Sequence, residues 1–277
     1  MRENRGDEKT NKSLVRKRII FFLFLVLLLF IISLLAPYLV PNDPYGTNAS
    51  YMKAAPSPEF PFGTDKLGRC IFSRVLMGAR LSIFFSLLLV MVTMVAGTFL
   101  GVVAGYYGGI FDNIIMRLVD MLLAFPQLVL AIAVAGVLGG GMTNMLLALG
   151  LTGWTLYARL ARGQVMSLKQ EEFIAAARLS GNSSLRIMAV HILPNIAGEM
   201  IVNAAIQVGT TLVGFAGLSF LGLGVQVPEA EWGSMINEAK GYMQQAPWAV
   251  LAPGAALFIT VAVFNLLGDA LSDYMGR

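Results

Sequence analysis

The side chains that most often carry chemistry in proteins are scarce in this sequence. It contains one histidine, His191, and one cysteine, Cys70, so we expect neither an intrachain disulfide nor a Cys/His metal site. The motifs of phosphate-binding loops, serine hydrolases, zinc proteases and dithiol redox proteins are absent from its 277 residues. We therefore predict no catalytic residue, no metal ligand and no cofactor bound by this chain itself.

A row of polar side chains lies inside one apolar stretch, residues 196–221. Asn203, Gln207, Thr210 and Thr211 fall mostly on one face of a helix. Such a row either lines a water-filled path or makes hydrogen bonds between helices. Both interpretations stay open, and the four side chains are candidate pathway-lining residues.

Composition places the chain in a membrane. Hydrophobic residues make up 57% of it and charged residues 13%, and a net charge of +4 does not suggest nucleic acid as a partner. Crossing a bilayer takes roughly 20 apolar residues. The pattern predicts an all-α integral membrane protein with six transmembrane helices, near residues 19–35, 81–105, 114–138, 145–160, 196–221 and 249–271.

The regions between and around these helices differ in charge and turn content. Residues 1–18 are basic, and we expect a disordered cytoplasmic tail; a signal peptide is disfavoured because the following apolar run is long and lacks a good cleavage site. Residues 36–80 form an external segment that ends in an interfacial helix with a basic side, made by Arg69, Arg74 and Arg80. Residues 81–271 form a five-helix core, which includes a cytoplasmic loop at 163–195, and residues 272–277 form a second tail.

The distribution of positive charge predicts the orientation. Of the 20 lysines and arginines, 14 fall in regions assigned to the inside and 6 in regions assigned to the outside. We therefore expect a multi-pass protein of the inner or plasma membrane with both termini in the cytoplasm.

Two local patterns concern packing within the membrane. Gly97, Gly101 and Gly105 share one helical face and permit close approach of another helix, which the sequence does not identify. Arg117 and Asp120, three residues apart, are expected to pair near the inner end of the third span.

Residues 171–195 form the most organised polar segment, and we call them the loop segment. Its pattern predicts one helix with Phe173, Ala176, Ala177 and Ser180 on a face, ended by Gly181 and Asn182. A second helix is capped by Ser183, has one face formed by a group of apolar side chains and is closed by Leu193-Pro194. The members of that apolar group are Leu185, Met188, Ala189 and Ile192.

The loop segment has two interpretations. It either packs on the membrane face or forms a docking surface for a second protein. The chain lacks a phosphate-binding loop and shows few intramembrane carboxylates, so we expect that a partner supplies the energy. The need for such a partner favours the docking interpretation.

Several stretches together resemble the permeases of ABC importers of the dipeptide, oligopeptide and nickel group. The loop segment, EEFIAAARLSG followed by RIMAVHILPN, is similar to their coupling loop, and FGTDKLGR at 62–69 is similar to a signature of their second permease subunit. Further matches are MRLVDMLLAFP, GWTLYARLARGQVMSL, LSFLGLGVQVPEAEWGSMINEA and FNLLGDALSD. Two residues depart from the pattern: Cys70 replaces the usual aspartate, and Ala175 replaces an acidic residue whose place Glu172 can take.

The resemblance implies a type I permease fold and a set of partners. These are a homologous second permease in a heterodimer, two ATPase subunits that bind ATP and Mg, and an extracytoplasmic substrate-binding protein. It also implies that the docking residues are Glu172, Phe173, Ala176, Ala177, Arg178, Gly181, Leu193 and Pro194.

The substrate implied by the resemblance is nickel, as an ion or chelate, or a di- or oligopeptide, with glutathione also in the group. RLSG at 178–181 and WGSMIN at 232–237 look more like the nickel-type permeases, and this similarity favours nickel. A self-sufficient secondary carrier or ion channel is the alternative from another class.

Overall fold

The computed structural model describes residues 3–276, and their side chains from Leu14 onward. Among these residues the structure is helical and contains no strand, apart from an isolated bridge between Thr64 and Cys70. The longer helices are α1 (Glu3–Leu39), α2 (Ile71–Tyr107), α3 (Gly109–Leu123), α4 (Gln127–Leu138), α5 (Met142–Leu168), α6 (Glu172–Leu179), α8 (Leu193–Phe220), α9 (Trp232–Ala239) and α10 (Trp248–Tyr274). The turn α7 (Ser184–Arg186) and a π-helical stretch (Ile187–Ile192) lead into α8.

The prediction of an all-α membrane protein is confirmed. Within residues 3–276, four helices are long and apolar enough to cross a membrane: Leu14–Leu39, Ile71–Tyr107, Ser184–Phe220 and Trp248–Tyr274. The bent pair α3 and α4 makes a fifth if it counts as one span. Helix α5, at 27 residues, is long enough but not apolar enough to qualify on composition. It occupies the fourth predicted position, so the six-helix arrangement fits the structure.

The third span is broken, which the sequence interpretation missed. Helix α3 ends at Leu123, α4 begins at Gln127, and their axes differ by 89°. Pro126 explains the break, because proline has no N–H to donate and disfavours helical geometry at the preceding residue, Phe125.

The basic N-terminal segment is not disordered where the structure describes it. Helix α1 already begins at Glu3, and Arg18 near its inner end forms an exposed ion pair with Asp273 of α10 at 3.2 Å. Met1, Arg2 and Arg277 of the two predicted tails lie outside the described residues.

The chain divides into two compact units. The first comprises residues 1–88, 135–145 and 205–277, and within it α1 and α9 both pack against α10. The second comprises residues 89–134 and 146–204 and contains the loop segment.

In the second unit, the glycine face of α2 packs directly on α5. A methyl group added at Gly97 or Gly101 would collide with the backbone carbonyl of Trp154 or Ala158. At Gly105 it would lie 2.9 Å from the carbonyl oxygen of Arg162. The three glycines therefore let the two helix backbones touch over about two turns, and α5 is the partner that the sequence left unnamed.

Replacing Gly101 by alanine should loosen this packing. The added methyl group overlaps Ala158 and Ala161, and overpacking of this kind costs about 1–3 kcal/mol. Gly163→Ala is the control, since nothing lies within 4 Å of the methyl group it adds to α5. We expect a lower unfolding temperature in detergent for Gly101→Ala only; equal temperatures for the two variants would contradict the backbone contact.

Candidate functional site

The first helix of the loop segment ends as the sequence predicts. Gly181 has a φ of +76°, in the left-handed region that favours glycine. Its N–H donates to the Arg178 carbonyl at 3.0 Å, and the Asn182 N–H donates to the Ala177 carbonyl at 3.3 Å. This pair of bonds is a Schellman motif, which closes α6 with its last carbonyls satisfied.

Helix α6 has one buried face, on which Ile174 and Ala177 lie. Ile174 and Ala177 are buried in a cluster with Tyr157, Ile187 and Ile192. Of the residues predicted to share one face, Ala177 is buried, whereas Phe173, Ala176 and Ser180 are exposed. Ile174 was missed, although it stands three residues before Ala177 and so lies on the same face.

The second half of the loop segment is continuous with the following span. The Ser183 side chain accepts a hydrogen bond from the Arg186 N–H at 3.4 Å, in agreement with the predicted cap. The sequence predicted that Leu193-Pro194 closes the helix, but in the structure these two residues begin α8. The π-helical stretch explains why, because the Leu193 N–H donates to Met188, five residues back, just before the proline that cannot donate.

The predicted apolar face of the second helix is partly buried and partly exposed. Met188 and Ile192 are buried, whereas Leu185 and Ala189 are exposed. His191 is half-buried, and its carbonyl accepts a 2.6 Å hydrogen bond from Asn195. Among the side chains that the structure describes, from Leu14 onward, no three of His, Cys, Asp or Glu come together as a metal site would require.

Cationic side chains attach α6 to the end of α2. The Lys169 ammonium donates to the Tyr106 carbonyl at 2.6 Å and lies 5.7 Å from the centre of the Tyr106 ring. The Arg178 guanidinium lies 5.6 Å from the same ring centre. Both contacts are cation–π interactions, so the start and the end of α6 are held on one tyrosine.

Two ion pairs connect α5 with α3. Arg162 donates to both carboxylate oxygens of Asp112, at 2.5 and 2.6 Å, and Arg159 donates to Asp120 at 2.6 Å. The predicted pair of Arg117 with Asp120 is therefore wrong, because the partner of Asp120 comes from another helix.

The loop segment presents an apolar surface to its surroundings. Leu179 at the end of α6 is 90% exposed and Leu185 at the start of the next helix is 72% exposed, while Phe173 is 42% exposed. Leu193 and Pro194, at the start of α8, are also exposed. Exposed leucines on a rigid, polar-rimmed turn are typical of a contact surface rather than of a folded interior.

The predicted polar row lies along α8. Asn203 donates to the carbonyl of Glu199 one turn earlier, at 2.9 Å. Gln207 and Thr211 are half-buried and Thr210 is exposed. The four residues therefore lie on one helix, and their role in lining a pathway stays a prediction.

A buried cluster of four charges lies in the first unit, and the sequence interpretation missed it. Arg69 and Arg74 are only 2% and 1% exposed, so they do not form the basic side of an interfacial helix. Arg69 Nε donates to Asp65 at 2.6 Å, a second guanidinium nitrogen of Arg69 contacts Glu238, and Arg74 donates to Glu238 at 3.1 Å. No separate interfacial helix forms, since α2 runs unbroken from Ile71.

The cluster is balanced in charge and well supplied with hydrogen bonds. Burial lowers the pKa of Arg69, but the Asp65 and Glu238 carboxylates outweigh it and leave that pKa raised. Asp65 also accepts from the N–H groups of Leu67 and Arg69 at 2.8 and 3.0 Å. Burial raises the pKa of the adjacent Tyr242 to about 12, so this phenol stays neutral.

Glu231 fixes the short helix α9 beside this cluster. Its carboxylate accepts from the N–H groups of Gly233 and Ser234 at 2.9 and 2.8 Å and from the Ser82 hydroxyl at 3.2 Å. Burial raises the pKa of Glu231, and the hydrogen bonds that favour the carboxylate oppose that shift. The Trp232 indole N–H donates to the Val75 carbonyl at 3.0 Å, which holds α9 on α2.

Comparison with known proteins gives one family. Residues 97–277 match the family described as "Binding-protein-dependent transport system inner membrane component". The chain is 43% identical to the dipeptide transport system permease protein DppC of Alkalihalophilus pseudofirmus, over 88% of this chain and 80% of that one. It is 44% identical to the glutathione transport system permease protein GsiD of Pectobacterium atrosepticum, over 90% and 83%. It is 40% identical to the nickel transport system permease protein NikC of Escherichia coli, over 91% of both chains.

Removing one carboxylate from the charge cluster should destabilise the first unit. Glu238→Gln leaves two buried guanidinium groups with one countercharge, and an uncompensated buried charge costs about 3–5 kcal/mol. Glu229→Gln is the control because Glu229 is exposed and, among the described residues, its side chain accepts a hydrogen bond from the Tyr45 hydroxyl alone. A large drop in unfolding temperature in detergent is expected for Glu238→Gln alone, and a drop of equal size in the control would contradict this assignment.

Proposed function

The chain belongs to the family of binding-protein-dependent inner membrane transport components, and we propose that it forms half of the translocation pathway of an ATP-driven importer. The observation that carries this proposal is the exposed apolar surface of the loop segment on a capped, anchored helix. A helix with that surface suits docking into a cleft of a soluble subunit better than packing on lipid headgroups.

The proposed docking residues are those on and beside α6. Glu172, Phe173, Ala176 and Arg178 are exposed, and Gly181 lies at the exposed turn. Ala177 is buried and acts through packing. Leu179 and Leu185 join this surface because their side chains make the largest apolar projections from it.

Movement of the docked subunits would reach the spans through the buried side of α6. Ile174 and Ala177 belong to the same packed cluster as Val102 of α2, Tyr157 of α5 and Ile196 of α8. A close-packed cluster transmits displacement because it has little free volume to absorb it. Displacement of α6 therefore moves the inner ends of three spans together.

The proposed importer contains three kinds of partner subunit. Two ATPase subunits supply ATP hydrolysis, a homologous permease supplies the other half of the pathway, and an extracytoplasmic binding protein delivers the solute. The loop segment then faces the cytoplasm with both termini, which agrees with the distribution of lysine and arginine.

For the solute, we propose nickel, as ion or chelate, with a di- or oligopeptide as the second candidate. The nickel candidate is supported by the nickel-transport relative, which matches this chain over 91% of both lengths at 40% identity. The peptide candidate is supported by the dipeptide-transport relative at 43% identity.

Replacing Leu179 by glutamine should uncouple transport from ATP hydrolysis. Leu179 is almost free of contacts within its own chain, so the fold is unaffected, while loss of a central apolar anchor weakens docking about ten-fold. Met275→Gln, another exposed apolar residue near the predicted cytoplasmic face, is the control. Solute-stimulated ATPase activity of the reconstituted complex is the measurement, and full stimulation in Leu179→Gln would refute the docking surface.

Uptake by the reconstituted complex distinguishes the solutes and the function class. We expect proteoliposomes with all subunits to accumulate radiolabelled nickel, with a chelator present or absent, in preference to a labelled dipeptide. Preferential dipeptide uptake would replace the first candidate by the second. Uptake by this chain alone, without ATP and ATPase subunits, would instead support a self-sufficient carrier or channel.

A further inference from the structure

A groove of about 360 Å³ lies between α1 and α2 in the first unit. Its walls are mainly apolar, and both α1 and α2 contribute residues to them. The wall residues are Phe30, Ser33, Leu34, Leu81, Phe84 and Phe85.

Helical spacing builds both walls and separates them from the rest of the unit. On α1, residues 30, 33 and 34 are three or four positions apart and so share one face of the helix. Residues 81, 84 and 85 of α2 have the same spacing and also share one face. Ser82 points to another side of α2, where it donates to Glu231. The groove is therefore a separate surface from the buried charges around α9.

Arg80 stands at the rim of this groove. It is exposed, and the described part of the chain provides it with no hydrogen bond or ion pair. It is the last charged residue before the uncharged run 81–105 of α2. The side chain is therefore at the boundary between the hydrocarbon core and the headgroups, on the side of the membrane that carries residues 36–80.

The groove also lacks a cover within its own chain. Only 11% of the apolar window of α1 is buried, and Leu34 and Phe84 are among the exposed large hydrophobic residues. A slot with apolar walls and an unpaired cation at headgroup depth is complementary to a molecule with an acyl chain and an anionic head.

We propose that this groove binds an anionic phospholipid, whose acyl chain lies between α1 and α2 and whose phosphate pairs with Arg80. The bound lipid completes the packing of α1 against α2. The proposal rests on the groove and its charge and does not depend on which solute is transported.

Native mass spectrometry of the intact complex in mild detergent tests this proposal. Titration with dioleoylphosphatidylglycerol should give about five-fold weaker binding in Arg80→Gln than in the wild type, since one arginine near a lipid surface supplies attraction of that order. Arg80→Lys should bind nearly as the wild type does. Lys66→Gln is the control, because it removes one exposed positive charge from the same outer segment, away from the groove.

A second measurement locates the lipid. Phosphatidylglycerol with a diazirine on its acyl chain should cross-link to peptides that contain Phe30 or Leu34 and Phe84 or Phe85, and Arg80→Gln should reduce that yield. Equal binding of dioleoylphosphatidylcholine would overturn the anionic preference. Cross-links spread over all spans, or a groove covered by a helix of another subunit, would overturn the site.

Discussion

Direct backbone contact between α2 and α5 is the constraint on which the second unit depends. Three glycines at four-residue spacing place no side chain of their own between the two helices, so the carbonyls of α5 lie against α2. This contact fixes the end of α2, where the Tyr106 carbonyl accepts from Lys169. Lys169 directly follows α5, and α6 begins three residues later, so the position of the loop segment is set by helix packing rather than by its own sequence.

The loop segment behaves as one body with the helices beneath it. Its buried face is shared with α2, α5 and α8, and its exposed turn is closed by two backbone hydrogen bonds at Gly181. It is also continuous with the start of α8 through the π-helical stretch. This continuity is the physical basis for assigning it a mechanical rather than a chemical role.

Local signals in the sequence predicted local structure well. The left-handed turn at Gly181, the cap at Ser183 and the glycine face of α2 depend on residues within one or two turns, and the structure has all three. The break at Pro126 carried a visible signal, and only the apolarity around it argued for a continuous span.

Predictions failed where a distant residue decides the outcome. Arg69 and Arg74 are basic in sequence, but their exposure depends on Glu238, more than 160 residues away. Asp120 pairs with Arg159, 39 residues away, instead of its neighbour Arg117. Leu193-Pro194 can begin a helix because the preceding π-helical stretch accommodates the missing N–H donor of Pro194. No pattern of residues in the sequence predicted that stretch. The orientation and the pathway-lining side chains stay predictions from charge and polarity.

The buried charge cluster has a consequence for the biogenesis of the protein. Arg69 and Arg74 follow Asp65 closely in the chain but are synthesised 169 and 164 residues before Glu238, the second carboxylate that balances their charge. At ordinary translation rates this interval lasts about 10 to 30 s, during which Asp65 is the one carboxylate of the cluster available to the two guanidinium groups. The segment before α2 therefore completes its structure only after α9 has been made, so an interrupted chain that lacks α9 would expose these arginines to quality-control proteases.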